Sequence, residues 1–200
     1  MTDLHESCAL LIIDMQNDFV LPGAPVCVAG ARAAIPGIRK ALEAFRKARM
    51  PVFHIIREYR HDGVDVENFR VRSFLETARY GIPGTHGCEI VDELKPIPGE
   101  YLIVKNRFSA FMNTELDFLL RRLAVKNIVV CGTQYPNCIR ATAYDAVAYD
   151  YFVTLLTDGA SAQTPEIAEA NILDMKNIGI RCITVREFLE SLPGQREVRS

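Results

Sequence analysis

The sequence predicts an α/β protein, a three-layer sandwich in which helices flank a six-stranded, mainly parallel sheet of Rossmann-like, doubly wound type. Three observations predict it. Short apolar runs recur along the 200 residues, and segments of helical periodicity fall between them. The runs are also mostly continuous in hydrophobicity rather than alternating, as strands covered on both faces are. The length suits one domain over residues 1–200, built around a single large core.

The strands are expected at 8–13 (CALLII), 51–56 (PVFHII), 101–104 (YLIV), 127–131 (NIVVC), 152–156 (FVTLL) and 180–184 (IRCIT). Ile38, Leu42 and Phe45 share one helical face, as do Leu116, Leu119 and Leu123, and later Ala168, Ile172 and Met175. Thr114 with Asp117 forms a capping pair, and Thr164 precedes Pro165 as a cap ahead of a proline at the first helical position. One stretch breaks the rhythm. From Glu58 to Glu100, 43 residues rich in glycine and proline separate two strands. Connections of that length are functional more often than not, and this one is expected to form the wall or lid of a pocket.

Composition narrows the partners. Apolar residues make up 49% and charged residues 24%, with a net charge of −2. That balance gives no electrostatic reason to expect nucleic acid or an anionic membrane. No apolar run approaches the ~20 residues of a membrane span. Acids precede the first apolar run and no small-residue cleavage site follows it, which argues against a signal peptide. The six cysteines lack CxxC spacing and read as reduced thiols, so a cytoplasmic location is expected.

In open parallel sheets, ligands bind beyond the carboxyl ends of the strands, where strand order reverses. The residues that follow the apolar runs there are Asp14, Lys105 and, after the turn GTQYPN, Cys138. They form an acid, a cation and a nucleophile. A cysteine in the first turn of a helix faces free N–H groups and the positive end of the dipole, so the Cys138 pKa is expected below the free value of ~8.5. An aspartate can take its proton, and a tight turn can aim backbone N–H groups at an oxyanion.

The stretches ALLIIDMQNDF, VKNRFSAFMNTELDFLLR and VVCGTQYPNCIRATAYDA together resemble the isochorismatase-like cysteine hydrolase superfamily, in family order and from about Cys8 to Phe188. The resemblance implies that family's fold and an Asp-Lys-Cys triad at Asp14, Lys105 and Cys138. It further implies a cis peptide between Thr133 and Gln134, with the Gln134 and Cys138 N–H groups forming an oxyanion hole. The implied reaction is hydrolysis of a small amide, ureide or carbamoyl substrate through a thioester. Gln16, Phe19, Tyr135, Arg107 and Arg140 are the substrate-binding candidates, and Arg57 and Arg72 also fall near that end of the sheet. Arginine forks match carboxylates and ureides. Relatives are often dimers or tetramers, so a homo-oligomer is expected.

The nicotinamidase branch of the superfamily carries an Asp-x-His pair after the second strand to hold a metal. Here Glu58 and Arg60 stand roughly at those places, leaving His61 and His86 unmatched, so neither a metal nor another cofactor is expected. Two rivals remain. A vinyl-ether-cleaving isochorismatase often lacks the cysteine, and a thiol redox sensor or ligand-binding pseudoenzyme would use the same pocket without turnover. A sensor needs a resolving cysteine, and Cys131 lies inside a strand.

Overall fold

The computed structural model describes residues 8–192. Its strands are β1 (Cys8–Ile13), β2 (Val52–Arg57), β3 (Tyr101–Lys105), β4 (Asn127–Thr133), β5 (Phe152–Ser161) and β6 (Arg181–Ile183). They form one sheet of order β3-β2-β1-β4-β5-β6, and every neighbouring pair is parallel. The helices are α1 (Asn17–Val20), α2 (Ala31–Ala48), α3 (Asn68–Glu76), α4 (Leu116–Arg122), α5 (Arg140–Ala148), α6 (Pro165–Asn177) and α7 (Val185–Ser191). No helix among the described residues is long and apolar enough to cross a membrane.

The central strands are buried along their whole length, which is why they read as unbroken apolar runs. Leu10 and Ile12 of β1 face a core closed by α2 and α7, whose Phe45 and Phe188 rings stack 5.9 Å apart. Ala9, Leu11 and Ile13 face the opposite core, closed by α4, α5 and α6. The α2 helix buries Ala34, Ile38, Ala41, Leu42 and Phe45, the spacing its sequence announces. Thr164 caps α6 by accepting the Ile167 N–H, as the Thr-Pro pair predicts.

Three expectations need correction. The outermost strand, β3, is covered on one face only: Ile103 and Lys105 are buried while Leu102 and Val104 are half exposed, because the cover of α2 does not reach the sheet edge. The α4 helix ends at Arg122 and turns Leu116 and Leu120 inward, leaving Leu123 on the rim. Thr114 is not its cap residue; its hydroxyl instead donates to the Ala110 carbonyl and accepts the Leu116 N–H.

One buried polar cluster ties α2 to the edge strands. Arg46 and His54 both hydrogen-bond the Glu100 carboxylate, at 2.6 and 2.8 Å. Burial works against that carboxylate, but bonds from Arg46, the Ile97 N–H and His54 outweigh it and hold its pKa at about 2, below an ordinary 4.5. The stabilisation is therefore present above the unfolded value and lost as pH falls from about 4.5 toward 2. Burial lowers the His54 pKa, so acid acts against this residue too, from 6.5 downward. Glu100→Gln should lower the thermal midpoint at neutral pH and flatten its dependence between pH 4.5 and 2, read by circular dichroism.

Candidate active site

Strand order reverses at the centre of the sheet, where β1 has β2 on one side and β4 on the other. The carboxyl ends of the first four strands meet there. Asp14 leaves β1 with φ of 50° while its N–H donates to the Ile55 carbonyl at 2.8 Å. Lys105 ends β3, two strands away, and its long side chain crosses β2 to reach Asp14, with Nζ to Oδ2 at 2.8 Å. Both groups are buried. The other carboxylate oxygen, Oδ1, is buried and has no hydrogen-bond partner within the described residues.

The end of β2 holds a residue that sequence reasoning undervalued. Arg57 is 1% exposed and lies in register with Lys105. Its Nη2 donates to Cys138 Sγ at 3.2 Å and to the Arg107 carbonyl at 3.1 Å. Its Nη1 donates to the Tyr59 hydroxyl and to Glu67 Oε1, and Nε lies 3.9 Å from Asp14 Oδ2. Burial works to lower the Arg57 pKa, but Cys138, Asp14, Tyr59 and Glu67 outweigh it and raise it well above its ordinary value. The signal was available in the sequence: an arginine directly after HII stands at a strand end, as Asp14 and Lys105 do.

Gln16, expected to bind substrate, is instead a fastener. It is fully buried; its Oε1 accepts the Arg57 N–H at 2.7 Å, and its Nε2 donates to the Arg57 and Cys88 carbonyls at 2.9 Å each. Its neighbours act alike. Asn17 Nδ2 donates to the His86 carbonyl, and Asp18 accepts the Gly81 N–H. The residues after β1 thus staple the long 58–100 connection against the sheet, and that connection serves as a wall.

The end of β4 requires Gly132, which has φ of 116°; a Cβ there would lie 2.1 Å from the Ile13 carbonyl oxygen. The Thr133–Gln134 peptide is cis, as the resemblance implies. A π-helical turn, Tyr135–Ile139, then leads into α5. The Gln134 carbonyl accepts from the Asn137 and Ile139 N–H groups, which flank the Cys138 N–H. Tyr135, a substrate candidate by sequence, is 1% exposed and donates its hydroxyl to the Thr157 carbonyl, so it anchors the turn to β5.

Cys138 is 6% exposed, and its thiol pKa is raised rather than lowered. Burial contributes most, the Asp14 carboxylate adds to it, and Lys105 and Arg57 act in opposition. The sequence discloses a helix start but not the depth at which the sulfur lies, and depth decides the sign.

Asp14, Arg57, Gln134 and Cys138 line one cavity of about 440 Å³, with Phe19 and Tyr80 as an aromatic side 6.0 Å apart. Phe19, a substrate-binding candidate by sequence, thus borders the same cavity as Asp14 and Cys138. Arg107 and Arg140 do not: they border a separate hollow outside α5, where Arg107 donates to the Asp65 and Asn106 carbonyls and Arg140 pairs with Asp174. Arg72 points into solvent and pairs with Glu76. A larger hollow of about 660 Å³ over the β3 edge includes His61 but neither Asp14 nor Cys138. Among the described residues, no three His, Cys, Asp or Glu side chains are grouped to hold a metal.

Comparisons with known proteins identify the family. A family model for the isochorismatase domain matches residues 8–187. The chain is 44% identical over 195 residues to a probable inactive nicotinamidase of Arabidopsis thaliana, covering 96% of this chain and 100% of that protein. It is 30% identical to a ureidoacrylate amidohydrolase of Azorhizobium caulinodans, covering 92% of this chain and 89% of the relative. A crystal structure of an isochorismatase family protein from Desulfovibrio vulgaris superposes with a TM-score of 0.89 at 52% identity, covering 92% of this chain and 97% of that one. By sequence and by fold, the chain belongs to the isochorismatase family of hydrolases.

Proposed function

We propose that this chain is a cysteine-dependent amidohydrolase that cleaves a small amide, ureide or carbamoyl compound through a thioester on Cys138. The observation that carries the reading is the Asp14 carboxylate. One of its oxygens is fixed by Lys105 at 2.8 Å, and the other has no hydrogen-bond partner among the described residues, in the wall of the cavity that also holds the Cys138 thiol.

Asp14 takes the thiol proton as Sγ bonds to the substrate carbonyl carbon. A raised thiol pKa suits this order of events, because the proton leaves with attack and no standing thiolate is needed. The Gln134 and Cys138 N–H groups hold the tetrahedral oxyanion. Asp14 then returns the proton to the departing nitrogen as the C–N bond breaks. It next deprotonates a water whose oxygen attacks the thioester, and Sγ leaves and regains its proton. Arg57 and Lys105 carry the positive charge that keeps the developing sulfur and carboxylate anions stable in a buried site. Cys138 Sγ is the nucleophile of the first half-reaction and water that of the second.

The similarity to a ureidoacrylate amidohydrolase supports the choice of amide or ureide chemistry over vinyl-ether cleavage. The test is ammonia release from a panel of small amides, ureides and N-carbamoyl compounds, nicotinamide included, beside Cys138→Ala. At least one compound should be hydrolysed by the wild type and by no Cys138→Ala sample. Equal release by both proteins would sink the reading.

A further inference from the structure

The cavity contains a second guanidinium. Arg70, on α3, lines it together with Ser73 and Phe74 of the same helix. The Arg70 guanidinium carbon lies 5.0 Å from the centroid of the Phe69 ring and 5.0 Å from that of Phe108. Aromatic rings at that distance hold the plane of a guanidinium by cation–π attraction and leave its N–H edge for hydrogen bonding. No carboxylate pairs with Arg70 among the described residues, whereas Arg72, two positions along, pairs with Glu76.

The rest of the lining sharpens the contrast. Among the described residues Asp14 is the one carboxylate that borders the cavity, and it is already bonded to Lys105. Arg57 cannot serve an incoming ligand freely, since Tyr59, Glu67, the Arg107 carbonyl and Cys138 already take its donors. Phe108 lies between the two cations, 5.5 Å from Arg57 and 5.0 Å from Arg70. One guanidinium is thus spent on the sulfur, and the other faces the same space without an anion.

We propose that Arg70 is the anchor for a carboxylate on the substrate. The compound hydrolysed is then a short amido or ureido acid, with its scissile carbonyl at Cys138 and its acid group on the α3 side of the cavity. The substrate class rests on the hydrolase reading above, while the anion anchor itself rests on the cavity alone. A fork of N–H donors suits a planar carboxylate, and two cations facing one cavity enrich anions within it.

The experiment separates the two. Cys138 is alkylated with neutral iodoacetamide and with anionic iodoacetate, and the ratio of rates is compared with that of glutathione. In the wild type the ratio should favour iodoacetate on the order of tenfold more than in glutathione. Arg70→Met should lower it markedly toward the glutathione value, Arg70→Lys should fall between, and Arg72→Met on the outer face of the same helix should leave it unchanged. For any amide pair that differs only in a carboxylate, Arg70→Met should raise KM for the acid on the order of ten- to a hundredfold, well beyond any change for the neutral member. A wild-type ratio equal to that of glutathione, or one that Arg70→Met leaves in place, would overturn the anchor even if amides are hydrolysed. An Arg70-dependent ratio without hydrolysis of any amide would uphold the anchor and remove the hydrolase reading.

Discussion

Asp14→Asn is expected to cost about 10²–10⁴-fold in turnover, the usual contribution of a positioned general acid and base, while making the Cys138 thiol easier to ionise. The two effects run in opposite directions for one physical reason. The carboxylate accepts and returns the proton, so its loss removes the route by which sulfur attacks and nitrogen leaves. The same carboxylate raises the Cys138 pKa, and the amide carries no charge to do so. With Lys105 and Arg57 still in place, the thiol of the variant should titrate below that of the wild type. Thiolate absorbance in the ultraviolet, taken as the difference between each protein and its Cys138→Ala counterpart, measures this directly. A variant with near-wild-type turnover, or one whose thiol titrates higher, would remove Asp14 from its assigned role.

Arg57→Met should be the most damaging single change to stability. Removing one partner of a buried ion pair leaves the others uncompensated, at a cost of about 3–5 kcal/mol. Here Glu67 and the Tyr59 hydroxyl would lose their donor, and Cys138 would lose one of the two cations that oppose its raised pKa. The variant should unfold at markedly lower denaturant, and its thiol should titrate above the wild type. Arg57→Lys should recover only part of either property, because a point charge on a shorter stem cannot bond Tyr59, Glu67 and Cys138 together. Unchanged stability with an unchanged thiol titration would mean that the network around Arg57 is incidental.

The parts of the site that were legible in the sequence are those governed by strand ends. Asp14, Lys105 and Cys138 each follow an apolar run, and parallel topology brings such positions to one edge of the sheet. Arg57 also follows an apolar run and falls near that end of the sheet, yet its inward course is not legible there, because an arginine can either snorkel to water or turn inward and only packing decides. Gln16 and Tyr135 were misread for the complementary reason. Both lie next to reacting residues in sequence, but their side chains meet backbone carbonyls that the fold brings from 41 and 22 residues away. Arg70 gives no local sign at all, since its role depends on α3 being laid over the cavity by the stapled 58–100 connection. The inward face of α4 is Leu116 and Leu120 rather than Leu116, Leu119 and Leu123, because these four leucines offer two overlapping apolar faces and only the position of the sheet chooses between them.

The central claim is that Cys138 forms a covalent acyl intermediate. The most direct measurement is an acid quench of the wild-type protein during turnover of whichever amide releases ammonia, followed by mass spectrometry of the peptide that contains Cys138. A mass increase equal to the acyl group, confined to that peptide, lost on hydroxylamine treatment and absent from Cys138→Ala, is the predicted result. Full turnover with no adduct on Cys138, or an adduct on another of the cysteines, would contradict the account.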